Sequence, residues 1–139
     1  MEYWICPECG KSFKNKNQWH SCYTLRLEDH IRNRPKNIQK LVHKLISIVR
    51  SFGPVELNPV KSVIQVKAGA TFLSIKPKNE YIELEFQTGK KIDEFPVHRS
   101  VRISGNRVLH FLYLQAIKDI DQKIISWLKE SYMLVSQSV

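Results

Sequence analysis

Apolar residues recur at steps of three and four along residues 36–52, which is the spacing of one face of an α-helix. The apolar stripe consists of Ile38, Leu41, Val42, Leu45, Ile46, Val49 and Phe52. Pro35 lies where a first helical residue tolerates proline, and Gly53-Pro54 is a stop signal. The pattern therefore predicts an amphipathic helix. Its solvated side carries His43 among three cations, Lys40, Lys44 and Arg50.

Short β-rich segments follow this helix, and turn residues separate them. They are Val60–Lys67, Thr71–Lys76, Tyr81–Phe86, the run around Val101 and Ile103, and Val108–Leu114. The third segment alternates, with Ile82, Leu84 and Phe86 on one face, so it is typical of a half-buried strand. The last is apolar on both faces, which favours a central position in a sheet.

A second helix is predicted to begin near Asp119. Asp119 is a good N-cap residue, and Gln122 completes a capping-box pattern three residues later. One face of this helix carries Ile120, Ile124, Leu128 and Tyr132, joined by Trp127. The order helix, about five strands, helix predicts an α+β domain of two layers. In it, two helices cover one face of a mostly antiparallel sheet.

The composition changes twice along the 139 residues, which suit one compact domain and a small appendage. Residues 1–24 are rich in aromatic residues and contain every cysteine. Residues 25–35 are polar and end at Pro35, so they are predicted to be a connector. Residues 36–139 form the predicted α+β domain. A charged fraction of 25% and a hydrophobic fraction of 42% indicate a packed core and exclude global disorder.

The cysteines and one histidine have the spacing of a metal site. Cys6, Cys9, His20 and Cys22 follow the pattern Cys-x2-Cys-x10-His-x-Cys. Three thiolates and one imidazole fill the four tetrahedral positions that zinc prefers, which leaves no open position for catalysis. We therefore expect one structural Zn²⁺ in a zinc finger over residues 1–24. Its binding free energy, about 10–16 kcal/mol for such sites, would fold that segment.

Several stretches of the chain resemble an uncharacterised bacterial family that is catalogued as a domain of unknown function. They are Trp4–Phe13, Asn17–Cys22, Asp29-His30, Phe52–Glu56, Pro59–Ser62, His110-Phe111, Asp119–Asp121, Trp127-Leu128 and Ser131-Tyr132. The resemblance implies an N-terminal Cys-x2-Cys/His-x-Cys zinc finger followed by a small α+β domain. It implies no established activity.

Candidates for chemistry in the larger domain are scattered along its sequence. They are His30, Lys61, His98, Arg102 and His110. Paired carboxylates, a nucleophile elbow, a phosphate-binding glycine loop and a second metal cluster are all missing from the sequence. An enzyme is therefore less favoured than a binding module, and we predict no catalytic residue.

The formal charge of +9 favours acidic partners, with nucleic acid or a ribonucleoprotein first. Lysines scattered over every segment would give the same charge without a binding surface, and both interpretations remain open. The predicted phosphate-binding residues are Lys11, Lys14, Lys16, Arg26, Arg32, Arg34 and Lys36. Such contacts give affinity without choice of sequence.

A protein-interaction adaptor is the alternative. In that hypothesis Trp19 and Tyr23 of the finger would be exposed anchors for a protein partner. The chain has no signal-peptide pattern and no apolar run of membrane-spanning length. The expected compartment is therefore a reducing cytoplasm, with no membrane partner, in which clustered thiols favour zinc over disulfides.

Overall fold

The structure, a computed structural model, describes residues 3–5, 12–17 and 27–137. In the first two ranges, β1 (Trp4–Ile5) pairs antiparallel with β2 (Ser12–Phe13). The rings of Trp4 and Phe13 approach to 6.1 Å between centroids. The two aromatic side chains are therefore neighbours across this short strand pair.

Residues 27–137 form helices and one larger sheet. The helices are α1 (Leu27–Ile31), α2 (Lys36–Arg50) and α3 (Gln122–Gln137), with a 3-10 turn at Ile117–Asp119. The strands are β3 (Glu56–Val60), β4 (Val63–Ala68), β5 (Ala70–Pro77), β6 (Ile82–Thr88), β7 (Val97–Ser104) and β8 (Arg107–Leu114). The predicted α+β class is confirmed, and the two predicted helices lie before and after the strands as expected, while α1 was not predicted. In this range, no helix is both long and apolar enough to cross a bilayer.

The six strands of this sheet are all antiparallel, in the order β3-β4-β5-β6-β8-β7. The expected number was about five, because one predicted strand, Val60–Lys67, spans parts of two. The chain turns at Lys61-Ser62, between β3 and β4, and these two residues include no glycine or asparagine that would indicate a turn. Pro59 also makes β3 harder to predict, because proline is rare inside strands. β3 is an edge strand, where proline is tolerated.

The core lies between one face of the sheet and the two long helices. Strand register places Ile75, Leu84 and Leu112 side by side on this face, all fully buried. The predicted stripe of α2 packs into the same core through Ile38, Leu41, Val42, Leu45, Ile46 and Val49. Burial of this apolar surface, which contributes about 25 cal/mol per Å² removed from water, is the main interaction that holds α2 on the sheet.

The start of α3 differs from the prediction. Asp121 provides the cap, because its Oδ1 accepts a hydrogen bond from the backbone N–H of Ile124 at 2.8 Å. Asp119 instead accepts the N–H groups of Gln115 and Ala116, at 2.9 and 3.0 Å. The sequence offered two aspartates two residues apart, and the 3-10 turn uses the first, so the helix begins after the second.

The predicted connector contains α1. Ile31, its last residue, is 0% exposed and belongs to the core of the larger domain. His30 Nε2 donates to the carbonyl of Val60 at 2.7 Å, which ties α1 to the end of β3. Residues from 27 onward therefore pack with the α+β layers, although a polar composition favoured a linker.

A serine hydroxyl joins α3 to the sheet. Ser131 is fully buried, and its Oγ accepts the N–H of Gln87 at 3.0 Å and donates to the carbonyl of Phe72 at 2.6 Å. Phe72 has no partner in the β4–β5 register, which shifts beside it. The hydroxyl therefore links β5 and β6 where their direct pairing ends at Leu73 and Phe86.

Candidate nucleic-acid interface

The outward face of α2 is basic along its whole length. Since the apolar stripe is buried, the polar positions of the same helix must face solvent. Exposed cations occur at Lys36, Lys40, Lys44 and Arg50, with His43 between them. The fifteen residues of α2 include no aspartate or glutamate. The helix therefore presents a continuous stripe of one charge sign.

The four cations of this stripe are available to a partner. Among the residues that the structure describes, no carboxylate lies within 4.0 Å of any of the four. His43 Nε2 lies 3.3 Å from a carboxylate oxygen of Glu28, in α1. Lys36 and Arg50 are fourteen residues apart, which corresponds to about 21 Å of helix. One strand of B-DNA carries about six phosphates over that distance.

The predicted phosphate-binding residues fall into three groups. Lys14 and Lys16 are exposed beside β2, whereas Lys11 and Arg26 lie outside the described residues. Arg32 forms an ion pair with Asp29, and Arg34 donates to the side-chain oxygen of Asn79 at 2.9 Å. Lys36 is the first residue of α2, so it continues into the basic stripe. The two arginines have internal partners and are less available than the lysines.

The predicted metal ligands Cys6, Cys9, His20 and Cys22 lie outside the described residues, as do Trp19 and Tyr23. In the described part of the chain, no three His, Cys, Asp or Glu side chains are grouped as a metal would require. The zinc site and the adaptor surface therefore stay predictions.

His110 is a buried member of a polar chain. The Thr88 hydroxyl donates to the carbonyl of Lys90 at 2.6 Å, so it must accept from His110 Nε2, 2.8 Å away. Nδ1 then accepts from the Ser100 hydroxyl at 2.8 Å. Burial lowers the pKa of His110 below its usual 6.5, although the nearby Lys90 backbone carbonyl favours the charged imidazole and opposes part of this shift. The imidazole is therefore neutral at pH 7.

The pairing of a serine with a neutral histidine is also found in nucleophilic catalysis. Here Ser100 and His110 are cross-strand partners of β7 and β8, and the imidazole is 0% exposed. The open cleft lined by Tyr81, Tyr113 and residues 93–97 includes neither side chain. The arrangement thus satisfies buried polar atoms, and the imidazole has no surface open to a substrate.

The other four candidates for chemistry are dispersed. His30 binds the Val60 carbonyl, and Lys61 is exposed in the β3–β4 turn. His98 Nε2 lies 3.6 Å from Glu83, while Arg102 donates to the carbonyls of Ser104 and Gly105 at 3.3 and 3.1 Å. The structure does not bring the five candidates together in one site.

Residues 27–135 match the family model described as Domain of unknown function (DUF5655). The chain belongs to this family. The match begins at α1 and ends within α3, so it covers both layers of the fold and not the predicted finger. No curated protein and no solved structure gave a match. The resemblance to a domain of unknown function is therefore confirmed, while the finger and the bacterial origin stay predictions.

Within the DUF5655 domain, sequence reasoning did not include the middle of α2 among the binding residues. It treated Lys40, Lys44 and Arg50 as an ordinary solvated face. A usable signal was present, because most solvated helices mix both charge signs and residues 36–50 contain only cations. Charge sign along a single helix was more informative here than the net charge of the chain.

Proposed function

We propose that this protein binds nucleic acid, alone or in a ribonucleoprotein, through the outward face of α2. The supporting observation is a stripe of about four helical turns that contains no carboxylate and whose four cations pair with no carboxylate of the described residues. Phosphate groups are the natural partners of such a stripe, and they confer affinity without choice of base sequence. Lys14 and Lys16, and the predicted Lys11 and Arg26, would extend the contact from the finger.

An anionic membrane would offer phosphates too, but α2 lacks what a membrane-surface helix needs. Helices that lie in the bilayer interface insert a row of large apolar side chains. The buried apolar side chains of α2 are packed in the protein core, and its exposed positions between the cations are Asn37, His43 and Ser47. Nucleic acid is therefore the better match.

The test is a salt titration of the full chain with a fluorescein-labelled DNA duplex of 20 base pairs and a single-stranded RNA of the same length, followed by anisotropy. Four phosphate contacts predict that log Kd rises with log salt with a slope of about 3.6 on the duplex. A triple variant, Lys40→Glu, Lys44→Glu and Arg50→Glu, should weaken binding about a hundredfold at low salt and reduce this slope by about 3.

A matched variant separates the stripe from overall charge. Lys78, Lys90 and Lys129 are exposed and lie outside α2, and their replacement by glutamate changes the net charge by the same amount. We expect this control to bind within about threefold of the wild type at physiological salt, where distant charges are screened. Equal weakening by both triple variants would contradict the proposed interface.

The zinc site is part of this proposal as a structural element. Metal analysis of the reduced protein should give one zinc per chain, and Cys9→Ser should release it and unfold residues 1–24 while the DUF5655 domain stays folded. Absence of zinc from the reduced wild type would overturn the assignment. If Trp19→Ala instead abolished a salt-insensitive complex with a protein partner, the adaptor hypothesis would replace the nucleic-acid proposal.

A further inference from the structure

An open cleft lies at the end of the sheet where β6 and β7 begin and β8 ends. Its volume is about 860 Å³, within the range of ligand-binding clefts. One wall is formed by strand residues, and the other by residues 93–97 and the start of α3. The nucleic-acid proposal uses none of these elements.

The strand wall is aromatic. The Tyr81 and Tyr113 rings meet edge to face at 4.8 Å between centroids, and His98 stacks on Tyr113 at 4.1 Å with an angle of 19°. Tyr113 is nevertheless 47% exposed, so part of its ring surface is open to a ligand. Stacking against two neighbours limits the rotamers of this ring, which reduces the entropy that a ligand would have to remove.

The cleft has the opposite charge to the rest of the protein. Asp93, Glu94, Asp119 and Asp121 line it, whereas the described residues provide two ammonium groups there, those of Lys118 and Lys123. In a chain of formal charge +9, this is a local excess of carboxylates.

The charge of Lys123 is already used within the protein. Its Nζ donates to the carbonyl of Phe95 at 3.1 Å, lies 4.0 Å from Glu94 and approaches the Trp127 ring to 5.4 Å. Asp93, in contrast, is exposed and makes no hydrogen bond or ion pair with a residue that the structure describes. The same cleft is therefore lined by the exposed carboxylate of Asp93 and by the half-exposed ring of Tyr113.

From this cleft we infer a binding site for a cationic side chain, arginine above all, presented by an extended basic peptide of a partner protein. A guanidinium stacks on a tyrosine face and pairs with a carboxylate at the same time, and the cleft offers both groups. A phosphate ligand would meet the excess of carboxylates. A neutral aromatic ligand would leave Asp93 without a partner. The inference extends beyond nucleic-acid binding, because this surface has the opposite sign.

The experiment titrates the full-length, ¹⁵N-labelled protein with acetyl-Gly-Arg-Gly-Arg-Gly-amide and compares it with the peptide that has glutamate in place of arginine. We expect saturable amide shifts in residues 93–98 and 113–119 with the arginine peptide only, and unchanged amides along α2. Lack of saturation, equal response to the glutamate peptide, or shifts confined to α2 would overturn the inference.

Two substitutions test the recognition chemistry. Tyr113→Ala and Asp93→Asn should each raise the Kd of the arginine peptide about three- to fivefold, the size expected for an exposed cation–π contact or ion pair. Glu130→Gln, an exposed carboxylate on α3 outside the cleft, is the control and should leave Kd unchanged. Equal Kd values for all three variants would contradict the site.

The basic stripe of a second copy is the main competing occupant. Sedimentation at several concentrations distinguishes it, because a monomer leaves the cleft free for the peptide. A dimer that both Asp93→Asn and Lys40→Glu dissociate would identify α2 of another copy as the occupant and overturn the peptide inference.

Discussion

The two long helices cover the same face of one sheet, yet they relate to it in different ways. α2 is attached by six buried apolar side chains, and the charged residues on its outward face are all cations. α3 also buries apolar residues, but it places the Ser131 hydroxyl between two strands. Its outward face carries both charge signs, for example at the consecutive residues Lys129 and Glu130. Apolar burial is non-directional, so the outside of α2 is not constrained by its attachment. α3 is positioned by directional bonds and carries an ordinary mixed surface.

The largest stability difference between the helices should come from Ser131. Ser131→Ala leaves the Gln87 N–H and the Phe72 carbonyl buried without their partner, and this should lower the free energy of unfolding by about 2–3 kcal/mol. Ser126, on the same helix, is exposed and donates to the carbonyl of Lys123. Ser126→Ala should change stability by less than about 0.5 kcal/mol. Urea unfolding measures both, and equal losses would show that the buried hydroxyl does not position α3.

The N-termini of the helices provide a second comparison. Pro35 makes no side-chain cap bond to α2, whereas Asp121 caps α3. Asp121→Ala should cost about 1 kcal/mol in urea unfolding. Gln122→Ala, which removes the residue that the capping-box prediction relied on, should stay within a few tenths of a kcal/mol. If Gln122 proved the more important, the helix would begin as the sequence predicted.

His110 makes the layer beneath α3 sensitive to pH. Its ring lies 5.3 Å from Phe86, which stacks on Trp127 of α3 at 6.1 Å. Burial lowers the pKa of His110 in the folded state, so below pH 6.5 the unfolded chain binds a proton that the folded chain excludes. The contribution of the buried, neutral His110 to the free energy of unfolding is therefore complete above pH 6.5, and it is lost as the pH falls toward the lowered pKa.

We therefore expect unfolding free energy to fall by less than about 1 kcal/mol from this group between pH 6.5 and 5.5. His110→Gln should remove this part of the pH dependence, whatever its effect on stability at pH 7.5. His43→Gln, at an exposed position on α2, is the comparison and should retain it. A parallel pH profile for wild type and His110→Gln would contradict the assignment.

The smallest effect is expected on the surface of α2, where it has an unusual sign. Lys40→Glu places a carboxylate four residues from both Lys36 and Lys44, and each new pair should stabilise the helix by about 0.2–0.5 kcal/mol. Lys129→Glu on α3 creates no such pair, because Ile125 and Met133 occupy the corresponding positions. Thermal unfolding should show a gain for Lys40→Glu only, together with weaker nucleic-acid binding. A loss of stability would mean that the cations of α2 have structural partners.

Local periodicity predicted α2 well because an amphipathic stripe depends on a single helix. The buried residues Ile38 to Val49 all come from the predicted stripe. The same reasoning missed β3, which contains Pro59, a residue that a strand tolerates only at a position such as the edge of a sheet. It also assigned the cap of α3 to Asp119, because two aspartates fit the sequence pattern and the 3-10 turn decides between them.

The sequence by itself determined the α+β class, the apolar face of α2, and the cationic composition of that helix's other face. It also contains the pattern of Cys6, Cys9, His20 and Cys22, which predicts zinc binding from a short local segment alone. Only the tertiary structure decided that Ile31 joins the core, that Ser131 links β5 to β6, and that Tyr81, His98 and Tyr113 form one wall. These contacts join residues far apart in the chain, and their partners are set by strand order and register. A local pattern of residues contains neither.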